Sequence, residues 1–152
     1  MHVAPEADPY NLQRFVAAQE PVFAAVVEEL RTGRKGGHWM WFVFPQVRGL
    51  GSSSAAQFYG IGSLDEARAY LAHAVLGPRI RLCTEVVLAI ESSSVNAIFG
   101  SPDDLKFCSS MKLFAVADGR EPSLFQDALD RSCDGVRDKR TLVVLQSQAE
   151  LP

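Results

Sequence analysis

Apolar and polar positions alternate with a helical period along most of the chain. Phe23, Val26, Val27 and Leu30 form one apolar stripe, with Glu28 and Glu29 pointing elsewhere. Asn11 is placed to cap a segment starting at Leu12, Pro21 to open the next helix and Gly33 to end it. Ser63-Leu64-Asp65-Glu66 has the form of a capping box, and the helix it starts turns Leu64, Ala67 and Leu71 to one side and stops before Gly77. Pro78 opens the longest apolar helix. Leu82, Val86, Ala89 and Ile90 line one side of it, and Ile80, Cys83 and Val87 widen the stripe, as expected of a central helix.

A short helical turn over residues 95–99 stops at Gly100. Ser101-Pro102-Asp103-Asp104 then reads as a capping serine, a proline at the first helical position and two acids at the positive end of the dipole. Phe107, Met111, Phe114 and Ala115 keep the period as far as Gly119, and Pro122 starts a helix with Phe125, Ala128 and Leu129 inward. Residues 141–148 are read as a last helix, although Thr-Leu-Val-Val-Leu favours β locally. The fold class expected is all-α: a compact, single-domain bundle of about six or seven helices with short connections. Residues 1–8 are expected as a disordered lead-in, 9–148 as the domain and 149–152 as a tail.

Composition narrows the function classes. A chain of 152 residues suits one domain, and 47% apolar with 22% charged residues is a globular composition. A net charge of −3 argues against general nucleic-acid binding. No run reaches the roughly 18–20 apolar residues of a membrane span, and residues 1–8 lack the basic start and apolar core of a signal peptide, so a cytoplasmic location without membrane contact is expected. Cys83, Cys108 and Cys133 are widely spaced with no CxxC. They read as separate buried thiols, in keeping with a reducing compartment, rather than as a disulfide framework or a zinc site. His2, His38 and His73 show no ligand spacing, so no metal or cofactor is expected, and His73 ends a helix where a cation is favourable. There is no GxSxG elbow.

Two segments have candidate chemistry. The stretch from Arg34 to Gln46 holds both tryptophans, Trp39 and Trp41, with Phe42, Phe44 and His38. Trp39, Phe42 and Val43 share one helical face and Trp41 and Phe44 another, a distribution most often found in a core. Before them, Arg34, Lys35 and His38 flank a turn with Gly36 and Gly37, whose backbone N–H groups converge as in an anion site. The second segment, Ser101 to Lys106, offers Asp103 or Asp104 as a base, with Lys106 balancing charge and Ser109 one turn on. As one site, Arg34, Lys35 and His38 would hold phosphate and Trp39 or Trp41 would stack a base, with Gln46 and Ser109 lining the ligand. His38 and Asp104 would then share a pocket, with Lys35 exposed. The partner expected is a small, nucleotide-like, phosphate-bearing molecule whose N-glycosidic bond is bound or hydrolysed. The alternative is a non-catalytic interaction module with a purely structural aromatic core.

His38-Trp39-Met40-Trp41-Phe42-Val43-Phe44-Pro45-Gln46 and Phe99-Gly100-Ser101-Pro102-Asp103-Asp104-Leu105-Lys106 resemble a bacterial family known as domain of unknown function 1810. Asn11-Leu12-Gln13-Arg14-Phe15, Gly49-Leu50-Gly51-Ser52-Ser53 and Met111-Lys112-Leu113-Phe114 match it too, so the resemblance runs from about Asp8 to Leu145. It implies a mainly helical fold and no settled activity. Gly37 stands where members often carry serine or threonine, and Lys112 where threonine is commoner. The calpastatin-like label attached to some members does not suit a compact, non-repetitive chain. A fainter similarity, by pattern alone, is to helical enzymes that hydrolyse N-glycosidic bonds in ADP-ribose-like nucleotides.

Overall fold

The computed structural model describes residues 7–90, 94–133 and 144–145. Among these there are nine helices and no strand: α1 Gln13–Gln19, α2 Phe23–Arg31, α3 Met40–Val43, α4 Ser54–Phe58, α5 Leu64–Ala72, α6 Leu76–Leu88, α7 Val95–Phe99, α8 Asp103–Ala117 and α9 Leu124–Ser132. The number exceeds the six or seven expected because α3, α4 and α7 have only four or five residues, too few to show a stripe. The expected helix over 141–148 and the tail lie outside the described residues, apart from Val144 and Leu145, which are helical and pack on the core.

The central helix is α8, not α6. Phe107, Cys108, Met111, Leu113, Phe114 and Ala117 are all buried on it, so it is apolar nearly all round, and it packs against α3, α5, α7 and α9. α6 turns Leu76, Ile80, Cys83, Thr84 and Val87 inward, while Leu82 and Ala89 are exposed. What looked like a widening of its stripe is its core face. Pro78 lies within its first turn, where no intrahelical N–H bond is lost.

Several caps follow the sequence pattern and others correct it. Ser63 Oγ accepts from Glu66 N at 3.1 Å, as a capping box requires, but the Glu66 carboxylate reaches one residue further back, to Gly62 N at 2.9 Å. Gly100 ends α7 with φ of 74°, a conformation that favours glycine. α1 is capped by Asp8, which accepts from Leu12 N at 2.8 Å and Gln13 N at 2.9 Å, whereas Asn11 takes a φ of 52°. Residues 1–6 of the expected lead-in lie outside the described residues. The N-cap of α8 is Pro102 rather than Ser101. His73 ends α5 as its C-cap, and its Nδ1 accepts from Val75 N at 3.1 Å and Leu76 N at 3.2 Å at the start of α6.

The cysteine reading is also corrected. Cys108 and Cys133 are joined in a disulfide with Cα atoms 5.9 Å apart. Their separation of 25 residues gave no hint of it, because the packing of α8 on α9 brings them together. The thiols therefore no longer bear on the compartment. Cys83 is free, and burial pushes its thiol up to about 12, which makes it a poor nucleophile.

Candidate functional site

The glycine turn does bind an anion, and the anion is Glu29 of α2. Its Oε1 accepts from the backbone N–H of Gly36, from Gly37 N at 2.7 Å and from the Trp39 indole at 3.1 Å. Partial burial raises the pKa of this carboxyl. The three donors and the nearby charge of Lys35 outweigh burial and hold it below the ordinary carboxylate range. A group with a lowered folded pKa contributes stability above its ordinary range, and that contribution is lost as pH falls through the folded value. Glu29→Gln should accordingly cost about 1–3 kcal/mol at neutral pH, the scale for hydrogen bonds to a charged group. It should also flatten the acid limb of a denaturation-against-pH curve. An unchanged limb would remove Glu29 as the occupant of the turn.

Lys35 is not exposed as expected. Its side chain is 8% exposed, and its Nζ pairs with Asp103 at 2.9 Å, donates to the Gly37 carbonyl and lies 5.2 Å from the Trp39 ring centroid. The other Asp103 oxygen pairs with Lys106 Nζ at 3.4 Å. Asp103 is therefore a carboxylate between two ammonium groups, one from the glycine turn and one from α8. Lys106 Nζ in turn sits 4.9 Å from the centroid of Trp41.

α3 separates the two tryptophans. Trp39 is 3% exposed and packs edge-on to Phe99, so it is a core residue and offers no face to a ligand. Trp41 is half-buried and forms one wall of a cleft of 490 Å³. The opposite wall is one face of α8 and its start: Pro102, Leu105, Lys106 and Ser109, spaced as successive helical turns require. Gln46 and the segment from Leu50 to Ser53 complete it.

That segment is held at both ends. Arg48 N donates to Ile61 O at 2.7 Å and Ile61 N to Gln46 O at 2.9 Å, around a parallel bridge between buried Val47 and Ile61. Gly60 allows the closure, since a Cβ there would lie 2.8 Å from the Arg48 backbone. In the core, Phe44 at the end of α3 meets Phe107 at 5.0 Å and Phe99 at 5.9 Å, which ties α3 to α7 and α8.

The cleft brings together four of the expected site residues: Trp41, Gln46, Lys106 and Ser109. Arg34 and His38 are exposed and do not line it. Asp104 does not line it either; its oxygens accept from Asn96 Nδ2 at 3.1 Å and Leu105 N at 2.9 Å. The expected pocket shared by His38 and Asp104 is thus not this cleft. Sequence reasoning missed Glu29 as occupant of the turn, and it missed Leu50, Ser52 and Ser53 as lining. A carboxylate near the end of the helix, seven residues before the glycine pair, was the available signal for the first.

A family model described as "Protein of unknown function (DUF1810)" matches residues 9–145. Among solved structures, a conserved hypothetical protein of Mycobacterium tuberculosis, Rv1873, is 56% identical, with a TM-score of 0.88 over 91% of this chain and 99% of that one. No curated protein matches the chain. No helix among the described residues is long and apolar enough to cross a membrane.

Proposed function

Since the chain belongs to this family of unknown function, no activity comes from its relatives, and we propose from the cleft itself that the protein binds a small, nucleotide-like ligand carrying an anionic group. The observation that carries this reading is the pairing of a half-buried Trp41 ring with the Lys106 ammonium at the wall of one cleft. A flat ring stacks on the indole, the ammonium meets an anionic oxygen, and Gln46 and Ser109 supply polar groups that fix orientation. The volume of 490 Å³ falls within the usual range for small-molecule sites.

Hydrolysis of an N-glycosidic bond would extend this reading. It needs a base, and there is no carboxylate among the described residues lining the cleft. Asp103 already has an ammonium on each oxygen, and both Asp104 oxygens accept hydrogen bonds elsewhere. Binding is therefore the reading we put first.

Thermal denaturation with adenosine, adenosine monophosphate, ADP-ribose and inorganic phosphate tests it. A ligand at ten times its Kd adds about 1.4 kcal/mol, or about 3–6 °C in a domain of this size. At least one ring-bearing anion should give such a shift, and Trp41→Ala should abolish it while leaving the unliganded midpoint nearly unchanged. No shift with any of them, or an equal shift in the variant, would leave the interaction-module reading standing instead. Release of free base on incubation would bring hydrolysis back.

A further inference from the structure

Among the described residues lining the cleft, Lys106 alone carries a formal charge. That charge is not independent, because Asp103 pairs with it from outside the lining and Lys35 pairs with Asp103 from the far side. Along the two ion pairs Lys35, Asp103 and Lys106 contribute +1, −1 and +1, and the Glu29 carboxylate also lies near Lys35. Without Lys35, Asp103 would offset more of the Lys106 charge at the cleft. We infer that Lys35 is a positioning residue that acts through Asp103 to keep the Lys106 charge available, and that the cleft is thereby matched to a flat ring bearing a single anionic group, the class of a nucleoside monophosphate rather than a polyphosphate.

This inference rests on the proposed binding reading for its ligand class but not for its charge arrangement. Three observations support it. The Lys35–Asp103 contact, at 2.9 Å, is shorter than the Lys106–Asp103 contact at 3.4 Å, so Asp103 is held more closely by the lysine outside the cleft. Lys35 is the more buried of the two, with 8% of its side chain exposed against 26% for Lys106, so solvent screens the outer pair less. Lys106 lies over Trp41, where an anion attached to a stacked ring would arrive. A triphosphate brings several negative charges to the one ammonium among the described lining residues, and its surplus charge would go unpaired.

A ligand-free measurement comes first. Quenching of Trp41 fluorescence by iodide reads the local charge, and Trp39, only 3% exposed, contributes little. Lys35→Met should lower the iodide quenching constant by about two-fold, and Asp103→Asn should raise it. The double variant should return to the parent value, because it removes one positive and one negative charge and so keeps the parent's net charge. Quenching by neutral acrylamide should be equal in all four proteins, which shows that Trp41 exposure has not changed. Iodide quenching unaltered by Lys35→Met, or altered only in step with acrylamide quenching, would overturn the charge arrangement.

Adenosine monophosphate is the binding probe. Lys35→Met should weaken it by about 3–10-fold, Asp103→Asn should tighten it, and the double variant should recover parent affinity. A ligand touching Lys35 directly would stay weak in the double variant, and that outcome would overturn the positioning role. Adenosine triphosphate binding more tightly than the monophosphate would overturn the single-anion class. If iodide quenching behaves as expected while no nucleotide binds, the proposed function fails and the ligand class with it, and the charge relay stands alone.

Discussion

Arg14→Met should destabilise the protein by about 3–5 kcal/mol in chemical denaturation, the scale for breaking a buried ion pair. Arg14 and Glu66 pair at 2.7 Å with 5% of each side chain exposed. The guanidinium also donates to the carbonyls of Phe58, Tyr10, Asn11 and Gly60, so one side chain ties α1 to the end of α4 and the start of α5. Methionine fills much of the volume and satisfies none of these acceptors, and it strands a buried carboxylate. Adding Glu66→Leu should recover only part of the loss. That double variant removes the unpaired charge but leaves four carbonyls without their donor. A cost for Arg14→Met below about 1 kcal/mol would mean that water replaces the guanidinium and that the ion pair does not organise this corner.

Phe44→Ala should cost about 3–5 kcal/mol, the range for truncating a buried phenylalanine. Phe44 is 1% exposed and touches the rings of Trp39, Phe99 and Phe107, so its removal opens a cavity bounded by rings that cannot readily close on it. Phe44→Leu should cost much less. A Phe44→Ala cost of only about 1 kcal/mol would indicate that α3 collapses onto α8, and ring-current shifts of Phe107 would report that movement. The neighbouring Trp41→Ala should be milder than Phe44→Ala, because Trp41 is only partly buried. This contrast would separate core from cleft within one stretch of six residues, Trp39 to Phe44.

Those same residues show where sequence reading stops. The apolar period of α2, the Ser63 cap and Gly100 were legible because each depends on neighbours within one or two helical turns. The anion character of the Gly36–Gly37 turn was legible too, since it follows from converging backbone donors. Its occupant was not, because Glu29 comes from the preceding helix and reads alone as an exposed acid. Trp39 and Trp41 could not be told apart while the stretch was treated as one regular helix. α3 spans only Met40–Val43, so Trp39 takes a non-helical conformation as N-cap and turns inward. Arg14 carried no sequence signal at all. Its partners come from three separate segments, and only tertiary packing makes an arginine in a short helix the centre of a buried network.

The two walls of the cleft are far apart in the chain, since one ends near Ala56 and the other begins at Pro102. During synthesis, domains generally take shape from the N-terminal end, and contacts between near neighbours form before distant ones. Glu29, Gly36, Gly37 and Trp39 can therefore join while the ribosome is still working on the middle of the chain. Trp41 then waits until α8 has emerged, and Lys35 waits as long for Asp103. A nascent chain stalled before Pro102 would have its glycine turn and Glu29 in place but its future binding surface bare, with Phe44 lacking the Phe107 ring that later packs on it.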